Sequence, residues 1–316
     1  MANVAVIGAS GFVGSACVGA LQKGGHEVLA IACPHFSSDQ RNIAGLLAKA
    51  RDHSLRDHIR DQLNGIDVLV NAAGVAAAGS GETDELYGAN ALLPGVAALA
   101  AADAGVHRVV HVSSAAVQGH QRVLREDSVY APFSPYSHSK SLGEAVAVAA
   151  RGVGGTVLYR PTSVHGVNRS VTRNVAKLAR SPLSSVAGQG QSPTPQVHIL
   201  NVAAGLAFCV DPMRQPPLVV LQPSEGFTCA GFLTVLGLGR QPKRLPTRGA
   251  RAIIASARRV SSLRATARRL EMLWFGQLQE TSWLTASDWR PEAGLMQWHE
   301  LAESVAQDGE DARAKD

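Results

Sequence analysis

The sequence predicts an α/β fold in which helices cover both faces of a doubly wound parallel sheet. Short β-branched runs alternate with alanine-rich stretches of helical length from the first residues onward. The runs expected to form strands begin at Val4, Glu27, Asp67, Arg108 and Thr156. We expect six strands of the sheet by about residue 160, with the Asp67 run as the fourth and the Thr156 run as the sixth. We expect helices to connect them, near residues 12–23, 84–104 and 136–151.

The pattern changes beyond about residue 165, where Pro and Gly become frequent. The run from Gly188 to Pro195 cannot continue a helix and is expected to form a loop. We therefore expect a first domain over residues 1–165 and a smaller C-terminal region over residues 166–316. Apolar runs at 197–200 and 218–222 are candidates to return to the first sheet.

Composition favours a folded globular protein, because 46% of the 316 residues are hydrophobic and 17% are charged. The four cysteines form no CxxC pair, and the eleven histidines show no metal-ligand spacing, so we predict neither a disulfide framework nor a metal site. There is no leader pattern and no apolar run long enough to span a bilayer. We expect a cytoplasmic protein that neither crosses a membrane nor binds nucleic acid.

Three glycines follow the first strand in a Gly-x-x-Gly-x-x-Gly pattern. The first permits a tight turn, the second lets the backbone approach a pyrophosphate, and the third lets the helix pack on the strand. Amides at the start of the helix then face the phosphates. An ordinary glycine-rich turn is the alternative, but the position after an N-terminal strand favours a dinucleotide site. The residues expected to contact the cofactor here are Gly8, Ser10, Gly11, Phe12, Val13 and Gly14.

The end of the second strand carries no acidic residue until Asp39, although NAD sites usually have an Asp or Glu there to hold the ribose hydroxyls. The absence favours NADP over NAD. His35, Ser37 or Arg41 could contact a 2′-phosphate, and each could equally be a solvated loop residue.

Tyr136 and Lys140 are four residues apart in a helical stretch, so their side chains lie on one face. A neighbouring ammonium favours the phenolate, which lets a tyrosine exchange a proton with a substrate oxygen. Ser114 follows the preceding strand, at the sheet edge where doubly wound proteins bind ligands. It can donate a hydrogen bond to a reacting carbonyl oxygen.

These motifs resemble the extended short-chain dehydrogenase/reductase family, the NAD-dependent epimerase/dehydratase group, with its Rossmann-type domain. The matching pieces, in family order, are Gly8 to Gly14, Asn71-Ala72-Ala73-Gly74, Asn90, Ser113-Ser114, Tyr136 to Lys140 and Arg160-Pro161. Weaker similarity continues through 197–199 and 289–291.

The resemblance implies a role for each matching residue. Ser114 would orient the substrate oxygen, Tyr136 would be the acid and base, and Lys140 would bind the nicotinamide ribose. The further residues implied to contact the cofactor are Ala72, Ala73, Gly74, Asn90, Pro161 and Ser163, and those implied to contact the substrate are Ser114, Gln118 and His165. A structural role for His165 is the alternative. Relatives commonly dimerise through the helices near 84–104 and 136–151, so we expect a homodimer.

The chain departs from the family pattern at three positions, Ala116, Gln118 and Asn201, where relatives often carry Thr, Tyr and Asp. These differences predict an altered active-site floor. The Thr and Asp-Glu set that sugar 4,6-dehydratases use for water elimination is missing, which argues against dehydration.

A basic segment over residues 240–269 includes Lys243, Arg244, Arg248, Arg251, Arg258, Arg259, Arg264 and Arg268. The leading interpretation is a basic amphipathic helix packed by its apolar face. Recognition of a diphosphate by an arginine is the second. Attachment to nucleic acid or a membrane surface is the third.

The leading functional hypothesis is an NAD(P)H-dependent reductase that acts on a carbonyl of a nucleotide-activated deoxysugar or a related natural product. An NAD-dependent nucleotide-sugar epimerase would use the same three catalytic residues. A non-catalytic NAD(P)-binding sensor or scaffold is the alternative of another class, and the complete Ser114, Tyr136 and Lys140 set argues against it.

Overall fold

A computed structural model describes residues 1–75, 81–260 and 263–313 of the chain. The strands are β1 (Asn3–Ile7), β2 (Glu27–Ile31), β3 (Val68–Asn71), β4 (Arg108–Val112), β5 (Val123–Leu124), β6 (Thr156–Arg160), β7 (Ser163–His165), β8 (Ser185–Ala187), β9 (Gln196–His198), β10 (Val219–Leu221), β11 (Lys243–Leu245) and β12 (Leu278–Gln279). The helices are α1 (Phe12–Lys23), α2 (Ile43–Ala50), α3 (His53–Arg60), α4 (Asp84–Tyr87), α5 (Leu93–Asp103), α6 (Pro135–Arg151), α7 (Ser170–Arg180), α8 (Ile199–Val210), α9 (Cys229–Leu236), α10 (Thr247–Arg259), α11 (Arg264–Phe275), α12 (Trp283–Ala286) and α13 (Leu295–Arg313).

Six parallel strands form the central sheet, in the order β10-β6-β4-β3-β1-β2. Strands β3 and β6 are buried along their whole length, as parallel strands are when helices cover both faces. One face packs on α2, α3 and α5 through a cluster that includes Leu69 and Val96. The other packs on α1 and α8 through Val6 and Leu206. The predicted doubly wound, Rossmann-type α/β fold is confirmed.

The expected count of six strands by residue 160 is wrong. Five sheet strands precede that point, because the chain between β2 and β3 forms α2 and α3, which are capped by Asn42 and Asp52. The sixth strand is β10, which pairs with β6 at the edge of the sheet.

The run at 197–200 does not return to the central sheet. Strand β9 pairs in parallel with β7 outside it. The chain then turns into α8, since the His198 ring accepts a hydrogen bond from the amide of Leu200 at 3.3 Å. The division at residue 165 stays a prediction.

A buried ion pair joins β6 to α6. The Arg160 guanidinium donates to both carboxylate oxygens of Glu144, at 2.9 and 2.7 Å, and neither side chain is exposed. Helix α6 begins with a capping box between Ser134 and Ser137. The capping box therefore defines the start of α6, and the ion pair fixes its middle against the sheet.

In the described residues, no helix is both long and apolar enough to cross a membrane.

Candidate active site

The glycine turn closes tightly at the start of α1. The amide of Gly11 donates to the carbonyl oxygen of Gly8 at 2.9 Å, and α1 begins at the next residue. A Cβ on Gly14 would lie 2.0 Å from that same oxygen, so only glycine fits there. Gly8 has a φ of +80° and its backbone meets that of Ala73. The turn thus brings the first amides of α1 to the carboxyl edge of the sheet.

The segment after β3 forms one wall of a cleft beside this turn. Ala72, Ala73 and Gly74 all line the cleft. A Cβ on Gly74 would lie 2.7 Å from Asn90 Oδ1 and 2.9 Å from Lys140 Nζ. The lysine can occupy its position only because residue 74 has no side chain.

The three predicted catalytic residues line this same cleft. Ser114 lies just after β4, and its hydroxyl accepts a hydrogen bond from the amide of Ala116 at 3.2 Å. Tyr136 and Lys140 lie in the first two turns of α6. Lys140 is 5% exposed, and its ammonium donates to the Val112 carbonyl oxygen at 3.0 Å.

The cleft changes the proton affinities of both α6 side chains. Burial lowers the pKa of Lys140 to about 8, partly opposed by the charge of Glu144. Burial raises the pKa of Tyr136, while a hydrogen bond from Ser114 and the charge of Arg169 act in the opposite direction. In the free protein at neutral pH, Tyr136 therefore keeps its proton and Lys140 keeps its charge.

Three polar side chains in the cleft had no role assigned from the sequence. Ser113 and Thr162 line it, and neither hydroxyl has a hydrogen-bond partner within the described residues. Arg169, just before α7, also lines it, with its guanidinium 4.7 Å over the ring of Phe12. No local sequence signal separates Arg169 from the other arginines of the chain.

Of the other implied cofactor residues, Val13 and Pro161 line the cleft. Asn90 and Ser163 do not. The Asn90 amide bonds both the N–H and the carbonyl of Val75, each at 3.0 Å, and donates to Ser139 Oγ. The Ser163 hydroxyl contacts the ring of His165 at 3.0 Å. Asn90 therefore shapes the cleft wall from behind.

The structure does not bring the substrate candidates Gln118 and His165 to the cleft. The Gln118 amide is buried and bonds the backbone of Arg125 and the carboxylate of Asp127. The His165 ring is fully buried against Gln196 and Thr172, and burial lowers its pKa to about 4. Both side chains have structural partners instead of a surface that faces a ligand.

Asn201 does not form the active-site floor, contrary to the sequence-based expectation. Its amide donates to Glu225 at 2.6 Å and to the Ala293 carbonyl at 2.9 Å, and it accepts from the Ala293 amide at 2.7 Å. Glu225 also accepts from the indole of Trp298 in α13. An aspartate could not make these donations, so asparagine here fastens the C-terminal segment.

Arg41 is not available to a 2′-phosphate, because it pairs with Glu82 at 3.0 Å and Asp84 at 2.6 Å and stacks on Tyr87. His35 and Ser37 are exposed beyond the end of β2.

The basic segment packs on the rest of the protein by an apolar strip. Ala250 and Ile254 of α10 are buried with Trp274 of α11. Arg268 donates to Glu271 at 2.9 Å and to the Gly119 carbonyl at 2.7 Å, which fixes α11 beside the loop after Ser114. The side chain of Arg264 lies outside the described part of the structure. The leading interpretation of a packed amphipathic helix agrees with these contacts.

A larger cavity of about 610 Å³ lies at the opposite, amino edge of the sheet. Its lining includes Asp67, His107 and Arg108, and the Arg108 guanidinium is bonded to the carbonyls of Cys209, Asp211 and Arg214. Doubly wound sheets bind ligands at the carboxyl edge, so the smaller cleft is the candidate active site.

The cleft fits a nicotinamide dinucleotide. The backbone amides at the start of α1 can donate hydrogen bonds to a polar ligand. The unpartnered hydroxyls of Ser113 and Thr162 can do the same. The glycines keep side chains out of this part of the structure. The phosphates would lie at Gly11–Val13, and the nicotinamide ribose near Tyr136 and Lys140.

Comparison with known proteins agrees with this geometry. The family model described as "NAD dependent epimerase/dehydratase family" matches residues 4–217. The chain belongs to this family. As a member of the epimerase/dehydratase family, it is an NAD(P)-dependent enzyme of the short-chain dehydrogenase/reductase type.

Three individual relatives share 18% to 26% sequence identity with the chain. The chain is 26% identical over 258 residues to a 4-hydroxy-2-methyl-3-oxo-4-farnesyl-3,4-dihydroquinoline-1-oxide ketoreductase of Stigmatella aurantiaca, which covers 78% of this chain and 77% of the relative. Two solved structures share the fold with a TM-score of 0.65. UDP-glucuronic acid 4-epimerase from Bacillus cereus, with UDP-glucuronic acid and NAD, is 18% identical and the match covers 96% and 99% of the two chains. Human epimerase family protein SDR39U1 (isoform 2), with NADPH, is 24% identical with 95% and 99% covered.

Proposed function

We propose that the protein is an NAD(P)H-dependent reductase of a carbonyl on a nucleotide-activated sugar or a related natural-product intermediate. The observation that carries the proposal is that Ser114, Tyr136 and Lys140 line one cleft, beside the glycine turn at the start of α1. The ketoreductase relative supports a natural-product carbonyl as the substrate.

The reaction follows from the positions of the side chains. When bound in the cleft, a reduced nicotinamide dinucleotide would supply the hydride for the carbonyl carbon. The Tyr136 hydroxyl donates its proton to the carbonyl oxygen, and the Ser114 hydroxyl donates a hydrogen bond to that oxygen. Because burial raises its pKa, Tyr136 holds the proton at neutral pH, as an acid in the reductive direction must.

Lys140 acts on Tyr136 and on the cofactor ribose. Its ammonium is held in the cleft by Val112 and stabilises the phenolate left after proton transfer. Solvent then returns the proton to Tyr136, which completes one reduction of a ketone to an alcohol.

We propose NADP as the preferred cofactor. The residues just after β2 include Ala32, Cys33 and the exposed His35. None of them carries a carboxylate that would repel a 2′-phosphate. The first acidic residue after β2 is the exposed Asp39, four residues beyond His35.

The homodimer and the cytoplasmic location remain predictions. Most of α5, from Leu93 to Ala98, is buried within one chain against α2, α3 and α6. This burial argues against a dimer formed through α5 and α6. Light scattering decides the matter, since a dimer mass would support the prediction and a monomer mass would contradict it.

Deuterium transfer tests the reductase. The protein is incubated with NADPH deuterated at C4 on the transferred face and with two sets of ketones, nucleotide keto-sugars and prenylated cyclic ketones. A reductase oxidises one NADPH for each alcohol formed and places one deuterium on the new carbinol carbon. An epimerase, given a nucleotide sugar that carries no ketone, would invert one of its stereocentres and consume no NADPH. That result would contradict the proposal. Tyr136→Phe should remove the turnover but retain cofactor binding.

A further inference from the structure

Arg169 is a charged side chain in the cleft that the proposed reaction does not use. It is half-buried and lies at the residue before α7. Within the described residues its guanidinium has no hydrogen bond and no ion pair, and its contact is the ring of Phe12 at 4.7 Å. Burial lowers its pKa from the ordinary value, although Tyr136 opposes the shift.

Three other covered arginines have carboxylate partners. Arg160 bonds Glu144, Arg268 bonds Glu271, and Arg56 pairs with Asp103 at 3.1 Å. Covering a charge without a partner is costly, so an unpaired guanidinium that lines a cleft indicates an anionic ligand.

The two neighbours of Arg169 locate this anion. Phe12 is the first residue of α1, where the turn presents its amides. Tyr136, the proposed proton donor, lines the same cleft, and its charge acts on Arg169. Arg169 therefore contacts the residue that opens α1 and interacts with the residue that transfers the proton.

We propose that Arg169 binds the oxygens of a diphosphate held in this cleft. Two ligands carry that group, namely the dinucleotide itself and a nucleotide-activated substrate. The guanidinium fork can bond two phosphate oxygens at once, and the ring of Phe12 supports its plane from one side. The proposal rests on the proposed function only in placing a dinucleotide in the cleft.

Binding measurements test this assignment without turnover. NADPH is titrated by nicotinamide fluorescence into the wild type, Arg169→Gln and Arg169→Lys, at low and high salt. The matched control is Arg173→Gln, an exposed arginine one turn further along α7. UDP is the second probe, titrated calorimetrically into the same proteins saturated with NADP. Thermal melts check that each variant is folded.

If the diphosphate belongs to the cofactor, Arg169→Gln weakens NADPH binding about tenfold or more, Arg169→Lys recovers part of the loss, and Arg173→Gln has no effect. If it belongs to the substrate, the same pattern appears for UDP while NADPH binding is unchanged. Equal affinities of the wild type and Arg169→Gln for both probes overturn the proposal, as does the absence of binding of both. A wild type that binds NADPH but reduces no ketone contradicts the proposed function and leaves the role of Arg169 intact.

Discussion

The Lys140 ammonium, in the second turn of α6, donates a hydrogen bond to the Val112 carbonyl oxygen at the end of β4. This contact holds the charged side chain in the cleft, and Lys140 as a whole is 5% exposed. Its position serves the proposed chemistry at the expense of stability, because burial favours the neutral amine.

Lys140→Met should therefore stabilise the protein at pH 7, by about 1–3 kcal/mol, while abolishing turnover. The pKa of Lys140 is about 8 in the folded protein, whereas the ordinary value for a lysine, which applies to the unfolded chain, is 10.5. Between these values the unfolded chain binds the additional proton, so wild-type stability rises with pH and the difference between the two proteins shrinks. Urea unfolding at pH 7 and pH 10 measures this. A variant less stable than the wild type at pH 7 would show that the buried ammonium does not destabilise the folded protein.

The Glu144–Arg160 pair holds the helix that carries Tyr136 and Lys140. Glu144→Gln should cost about 3–5 kcal/mol, since it leaves the Arg160 charge buried without a counter-charge. The double variant Glu144→Gln/Arg160→Met removes both charges and should lose less than Glu144→Gln alone. Denaturant unfolding of the three proteins tests the pair, and a loss under 1 kcal/mol in the single variant would refute it.

Asn201→Asp should destabilise the C-terminal segment in a pH-dependent way. The substitution removes the two hydrogen bonds that the Asn201 amide donates. It also places a second carboxylate beside Glu225, whose pKa is already raised by burial, and the two negative charges repel each other. The folded carboxyl pair would retain a proton that the unfolded chain releases, so stability falls as pH rises. Melting temperatures at pH 5 and pH 8 should separate for this variant. Asn201→Leu removes the same donations but adds no carboxylate. It serves as the control and should show a smaller separation between the two pH values than Asn201→Asp.

Ala32→Asp should reverse the proposed cofactor preference. A carboxylate just beyond β2 would bond the ribose hydroxyls of NADH and repel the 2′-phosphate of NADPH. The ratio of the two dissociation constants, from fluorescence titration, should shift about tenfold or more toward NADH. An unchanged ratio would mean that the 2′-phosphate lies elsewhere.

Local patterns predicted much of the fold and of the cleft. The glycine turn, Ser114, and the four-residue spacing of Tyr136 and Lys140 all come from short segments whose conformation decides where the side chains lie. The strand count failed because the chain between β2 and β3 forms the short helices α2 and α3 instead of a strand. The pairing of β10 with β6 could only be offered as a candidate, because it joins segments almost sixty residues apart.

The same limit explains the substrate candidates. His165 and Gln118 lie close in sequence to residues that line the cleft, but the fold turns both toward other partners. His165 bonds Gln196, and Gln118 bonds Asp127. Conversely, nothing local distinguishes Arg169 from the many other arginines. Its lack of a partner is visible only once the carboxylates of the fold are assigned to the others.

The central claim is that the cleft at Gly8–Gly14, Tyr136 and Lys140 binds a nicotinamide dinucleotide. The most direct test is a titration of NADPH into protein freed of bound nucleotide, followed by nicotinamide fluorescence. We expect saturable binding of about one NADPH per chain, retained in Tyr136→Phe and weaker in Gly74→Leu, whose side chain would displace Lys140. No saturable binding by the folded wild type, or equal binding by Gly74→Leu, would contradict the account.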